Sequence, residues 1–430
     1  MKTSHLLYFM IISFFTISCK DPNTMITEKI DYNQYLTITD NHKIAQLYKE
    51  QALWHKKLDP DSSRIKPLGA IAVNYTQLFQ ATGTIDFLKK AEQSLKKSIE
   101  IAAINKEKYL LALSRNYISQ HRFKEAKKIA LAVYKTGNHR RESQMVLFDI
   151  SMELGEYDEA ELYLYDIEKE NDYNFLIRWA KWNDYKGNLD NTIIHMEKAK
   201  EIAERSHNEN LMLWSYTNLA DYYGHAGRIT DSYQHYLKAL NIDPANAYAL
   251  KGIAWIVYSY EDNPNEALRI LSATAKNYTS PDQSLLMAEI AEYMKDHTSK
   301  DSYIKHYLEQ VKNPDYGVMY HKYNTLLYAE EFGKYDVALT LAENEVSNRS
   351  TPESFDLLAY TLYLKGEYSK ALEIVQTYID GKTYEPEIMY HMARIYKANY
   401  KVDKVMSLKK ELQESSYELG PVINSEIARL

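Results

Sequence analysis

The side chains that could do chemistry are few and scattered. A single cysteine, Cys19 in FFTISCK (Phe14 to Lys20), is the only thiol in 430 residues. Without a second cysteine there is no intramolecular disulfide and no CxxC redox or zinc motif. Thirteen histidines invite a metal site, yet no two stand at i and i+4 and no HExxH occurs. His391, in MYHMARIY, sits beside methionines expected in a core and reads as packed or groove-facing rather than as a ligand. DPDSSR (Asp59 to Arg64) has two carboxylates but lacks the glycine and terminal glutamate of a calcium loop. No P-loop, GxGxxG, GxSxG or EF-hand motif is present. The sequence therefore predicts no cofactor, no metal and no enzymatic activity.

What such residues need is elements to hold them, and the composition allows a large core. Hydrophobic residues make up 45% and charged residues 26%, the balance of an ordered chain. The net charge is -7 and no stretch clusters lysine and arginine. A polyanionic partner such as nucleic acid is not expected.

The first residues read as a targeting segment, with Lys2 ahead of the apolar run Leu6 to Phe15 (LLYFMIISFF). That run is shorter than the roughly 20 residues a bilayer span needs. With Thr16, Ile17 and Ser18 before Cys19, it resembles the signal of bacterial lipoproteins. The resemblance implies a diacylglycerol on the Cys19 thiol, cleavage before it and an acylated amino terminus, with an ordinary secretory signal as the plainer alternative. Residues 1–18 are then the signal peptide and 19–40 a lipidated tether, whose Asp21 weakly resembles the acidic residues of surface-exported lipoproteins.

From residue 41 the apolar residues fall at helical spacing and the pattern repeats. In YTNLADYYGHAGRITDSYQHYLKALNIDP (Tyr216 to Pro244), Tyr216, Leu219, Ala220 and Tyr223 share one helix face. Gly227 turns the chain, Ser232, Tyr236 and Ala239 face back, and Pro244 ends the unit. This is similar to the tetratricopeptide repeat. The frame recurs with Leu110, Leu113, Tyr117 and Ala126, then with Leu147, Gly155, Ala160 and Leu164, and later with Phe355, Leu358, Ala359, Gly366 and Ala371. A degenerate unit lies between about residues 282 and 312. The fold class expected is all-α, a right-handed TPR-type solenoid of about nine or ten helix-turn-helix repeats over 41–415, with 416–430 as a C-terminal cap.

In TPR proteins the inner groove is lined mainly from the first helix of each repeat. Carried onto this chain, the resemblance places Arg115, Lys181, Tyr185, Asp221, Trp255, Tyr258, Tyr390 and Arg394 in the groove. Aromatic and arginine side chains dominate interface energetics, and most of the 39 tyrosines fall at core positions of the frame. The function expected is a membrane-anchored, non-enzymatic scaffold of the bacterial cell envelope, with the outer membrane as the expected site. It would hold a protein or peptide in its concave groove and a membrane through the lipid on Cys19. A SusD-like glycan-capturing lipoprotein is the alternative, and a part of an outer-membrane assembly machine a third. The near-constant repeat length favours the scaffold.

Overall fold

The computed structural model describes residues 25–38, 41–58 and 65–430; Cys19, the apolar run before it and Asp59 to Arg64 lie outside the described residues. Among those described there is no strand. Helices α1 (Lys29–Leu36) and α2 (His42–Lys56) precede ten helix hairpins. The first five are α3 (Ile65–Thr82) with α4 (Ile85–Ile101), α5 (Lys106–Ser119) with α6 (Phe123–Thr136), α7 (Arg140–Leu154) with α8 (Tyr157–Asp166), α9 (Tyr173–Tyr185) with α10 (Leu189–Arg205), and α11 (Glu209–His225) with α12 (Ile229–Ile242). The next five are α13 (Ala247–Trp255) with α14 (Pro264–Thr274), α15 (Asp282–Tyr293) with α16 (His297–Val311), α17 (His321–Glu330) with α18 (Tyr335–Asn348), α19 (Pro352–Leu364) with α20 (Tyr368–Ile374), and α21 (Pro386–Ala398) with α22 (Val402–Glu414). Helix α23 (Ser416–Ile427) ends the chain, and π-helical segments, Ile256–Tyr260 and Val375–Ile379, extend α13 and α20.

The hairpins form where the sequence repeats its frame. Ala126, Ala160, Ala180, Ala199, Ala239, Ala267 and Ala371 are fully buried, and their small side chains let neighbouring helices approach closely. Phe123, Phe148, Leu147, Tyr233 and Tyr360 fill the remaining space, each contributing about 1.5–3 kcal/mol by leaving water. Helix starts are set by Asx and hydroxyl caps: Asp172, Asn188, Asn208, Asn246 and Thr351 each accept a hydrogen bond from the backbone N–H three residues on.

Successive turns of the superhelix touch. Thr279 N–H donates to Thr82 O at 2.9 Å, and Lys124 Nζ reaches Ser347 O at 2.6 Å. Asn348 donates to His121 O at 3.3 Å, 227 residues away, and Arg349 pairs with Glu153 at 3.5 Å across 196 residues. The first hairpin thus meets the start of the seventh, and six hairpins make one turn. Gly155 ends α7 at φ 75°, and a Cβ there would lie 2.7 Å from Ser350 O of the turn above. Gly227 turns the fifth hairpin at φ 69° with open space around it.

The stretch expected to be a tether is corrected over its second half. Residues 26 to 36 lie against α12 and α14. Ile26 and Thr27 N–H groups donate to Glu261 at 2.7 and 2.6 Å. Tyr32 is 1% exposed and donates to Glu266 at 2.9 Å, which Lys29 also meets at 2.9 Å. Tyr35 reaches Asn241 at 2.7 Å. An eight-residue helix is marginal in water, and here it is carboxylates more than 200 residues away that hold it.

Candidate functional site

The first helices of the hairpins face inward, and α23 folds back along that inner face instead of only ending the stack. Gly420, at φ 73° and ψ 167°, breaks α23 ahead of Pro421. A Cβ at Gly420 would stand 2.9 Å from the Trp255 ring and 3.1 Å from Glu289 Oε1, so only glycine lets the segment lie this close. Tyr417 O accepts from Trp255 Nε1 at 3.2 Å and Ser259 Oγ at 2.6 Å. Leu419 and Ile427 pack on Met389, Tyr390 and Ala393 of α21. Glu418 pairs with His225 at 2.8 Å, and at the other end Glu426 accepts from Tyr390.

Two chambers result. The larger, of about 660 Å³, is walled by α13, α15, α17, α19 and α21, with Val422, Ile423 and Glu426 of α23 as one side. Its size is within the usual range of ligand sites. Lys251 pairs with Asp282 at 2.5 Å. Lys300 meets Glu331 at 2.7 Å and Glu292 at 3.1 Å, and Lys322 meets Glu387 at 2.7 Å. Arg394 donates to Tyr360 at 2.6 Å and Tyr390 at 3.2 Å. Glu289 and Glu330 form no ion pair among the described residues. Burial, with Glu387 and Glu292 nearby, pushes the Glu289 carboxyl up to about 7. Burial likewise raises Glu330, which accepts the Tyr360 hydroxyl at 3.0 Å.

The smaller chamber, of about 460 Å³, opens between superhelical turns. Lys181 meets Glu153 there at 2.8 Å, and Tyr185 stacks on Tyr157 with centroids 3.9 Å apart. Burial, together with Glu418, Asp184 and Glu353, pushes Glu385 up to about 7. Burial works against charge on His225, yet Glu418, Asp184 and Asp221 outweigh it and lift its pKa to about 9.

The inner-face residues named from the sequence are dispersed. Trp255, Tyr390 and Arg394 meet in the larger chamber, and Lys181 and Tyr185 in the smaller. Arg115 is exposed on α5, where Asp149 and Arg178 are its charged neighbours. Asp221 accepts the hydroxyls of Tyr236 at 2.5 Å and Tyr248 at 2.7 Å, so its carboxylate is engaged within the fold. Tyr258 is corrected: it is fully buried and lines no groove. It falls in the π-helical segment Ile256–Tyr260, whose i→i+5 turn departs from the α-helical register on which an inner-face assignment rests. His391 is packed, stacked 3.6 Å from the Tyr360 ring and bonded to Asp356 at 2.8 Å.

The sequence reading missed Glu289, Glu330 and Lys251, and it placed α23 as a terminal cap without its return along the inner face. Glu289 stands on α15, inside the unit whose frame is too degenerate to number. Among the described residues no three His, Cys, Asp or Glu side chains are grouped to hold a metal ion, and no helix is long and apolar enough to cross a membrane.

No protein-family model matches the chain, and no curated protein matches it. Among solved structures it is similar to human IFIT1 as a dimer with m7Gppp-AAAA, at 15% identity over 77% of this chain and 75% of that one, with a TM-score of 0.46. The IFIT1 dimer with PPP-AAAA gives 14% identity, 89% and 93% coverage and a TM-score of 0.42. A tetratricopeptide repeat protein from Parabacteroides merdae gives 15% identity, 60% and 97% coverage and a TM-score of 0.35. These likenesses concern helical-repeat architecture.

Proposed function

We propose that the chain is a lipid-anchored scaffold of a bacterial cell envelope that holds a segment of another protein inside its superhelical channel and has no catalytic role. The observation that carries this is the larger chamber, where side chains from five successive first helices converge on one cavity. Its walls favour a protein over a polyanion. Seven carboxylates, of Asp282 and Glu289, Glu292, Glu330, Glu331, Glu387 and Glu426, outnumber Lys251, Lys300, Arg394 and His391 along its lining, and a phosphate backbone needs the opposite balance. The lipid anchor rests on Cys19 and the apolar run before it.

Two experiments test the halves separately. A photo-crosslinking amino acid at Tyr323, which lines the chamber, should capture a discrete protein in intact cells. The same probe at Tyr165, exposed on α8, should not. Equal capture from both positions overturns the channel as the binding face. Cys19→Ala should release the protein from the membrane fraction and leave an unprocessed chain; continued membrane association removes the lipid anchor.

A further inference from the structure

The larger chamber carries a charge imbalance that the fold leaves unresolved. Its cations are engaged, Lys251 by Asp282 at 2.5 Å and Lys300 by Glu331 at 2.7 Å. Glu289 on α15 forms no ion pair among the described residues, and Glu330 on α17 has His391 and Arg394 as positive neighbours without a direct ion pair to either; both carboxylates line the same cavity. A carboxylate withdrawn from water without a counter-charge is destabilising. A wall selected for stability alone would carry glutamine or an added lysine. The Tyr258 hydroxyl, buried behind this wall, is turned toward Glu289 and is its nearest polar neighbour there, a neutral group that brings no counter-charge.

The rest of the lining says what cation fits. Trp255 and Tyr323 offer ring surface, and Leu285, Leu326 and Ile423 offer aliphatic surface. Such faces suit an apolar stem, and ring faces attract an ammonium or guanidinium head. Among the described residues no third His, Cys, Asp or Glu joins Glu289 and Glu330 to make a metal site. The cavity, at about 660 Å³, has room for a long side chain with its flanking backbone.

We propose that the larger chamber is a receptor for an ammonium or guanidinium group on an aliphatic stem, namely a lysine or arginine side chain of the bound protein segment, with Glu289 and Glu330 as its counter-charges. This rests on the reading of the channel as a protein-binding groove and names what that groove selects.

The test is calorimetric titration of the full chain in detergent with three probes: the peptide acetyl-Gly-Leu-Lys-Leu-Gly-amide, its Nε-acetyl-lysine counterpart, and free 1,5-diaminopentane. The lysine peptide should bind, and acetylation should weaken it about ten-fold or more, the value of one lost charge-assisted contact. Glu289→Gln and Glu330→Gln should each cost a similar factor. The melting temperature of Glu289→Gln should be unchanged or higher, because it removes a buried carboxyl with no cation beside it, so weakened binding by that variant cannot be put down to misfolding. Equal binding of the two peptides, unchanged binding by both variants, or no binding of any probe overturns the proposal. Binding of diaminopentane alone, lost in both variants, upholds the cation site and makes a free amine its source. The Tyr323 crosslink judges the protein-binding reading independently of all these outcomes.

Discussion

The excess of tyrosine over phenylalanine, 39 against 10, becomes intelligible from what the hydroxyls reach. Tyr216 donates to Glu204 at 2.8 Å, Tyr396 to Asp380 at 2.7 Å and Tyr32 to Glu266 at 2.9 Å. Each ring fills space between helices while its hydroxyl ties a carboxylate, and such bonds to charged groups contribute about 1.5–3 kcal/mol. Glu266 is the fullest case. Burial opposes its charge, but hydrogen bonds from Arg269, Lys29 and Tyr32 outweigh that and hold its pKa at about 2. A depressed carboxylate stabilises the fold above its unfolded value, near 4.5, and that contribution is lost as pH falls towards 2. Glu266→Gln should cost about 2–3 kcal/mol at pH 7 and speed amide exchange across residues 26–36. The difference from the parent should shrink on denaturation at pH 3, and a constant difference would remove the charge from the account. At this scale the sequence was legible where a residue sits in the repeat frame, as Tyr390 and Arg394 do. It was illegible for Glu289, whose importance lies in lacking a cation, which only the assembled neighbours reveal.

Among elements, the hairpins were readable because their signals are local: a small residue and an aromatic recur from unit to unit, and a turn glycine marks six of the ten, His121, Asp262, Lys295 and Tyr400 taking its place in the others. The docked helix α1 was not readable, since eight residues with one buried side chain, Tyr32, carry almost no pattern of their own. Helix α23 was concealed differently. Residues 416–430 read only as a cap on the last repeat, whereas Gly420 supplies the bend that fits the segment beside Trp255. The turn glycines give the prediction at this level. Gly227→Ala meets open space and should cost only the left-handed strain, about 1 kcal/mol. Gly155→Ala has the same strain and also drives a methyl group into Ser350 O at 2.7 Å, so it should cost about 1–3 kcal/mol more. Denaturant titration of both variants checks it; equal losses would mean that the two superhelical turns are not held in contact at this point.

For the molecule as a whole, α23 joins distant parts of the superhelix through Glu418 at one end and Glu426 at the other. His225 sets the pH range of the first of these contacts. Its raised pKa means the contribution is complete below about 6.5 and lost as pH rises through about 9. Chains ending at Ser415 should therefore differ most from the full chain near pH 6 and less at pH 10, measured by thermal unfolding. They should also show a red shift in tryptophan emission as Trp255 gains water. A difference that grows with pH would contradict the assignment. The touching turns carry a further consequence. An open helical-repeat array behaves like a spring: its windings extend, its ends fray first, and repeats can be trimmed one at a time because each leans only on its neighbours. Here Thr82 and Thr279, His121 and Asn348, and Glu153 and Arg349 act as welds between windings. Pulling on the ends should meet a single stiff rupture in place of gradual uncoiling, and deleting the first hairpin should loosen the seventh, six repeats away.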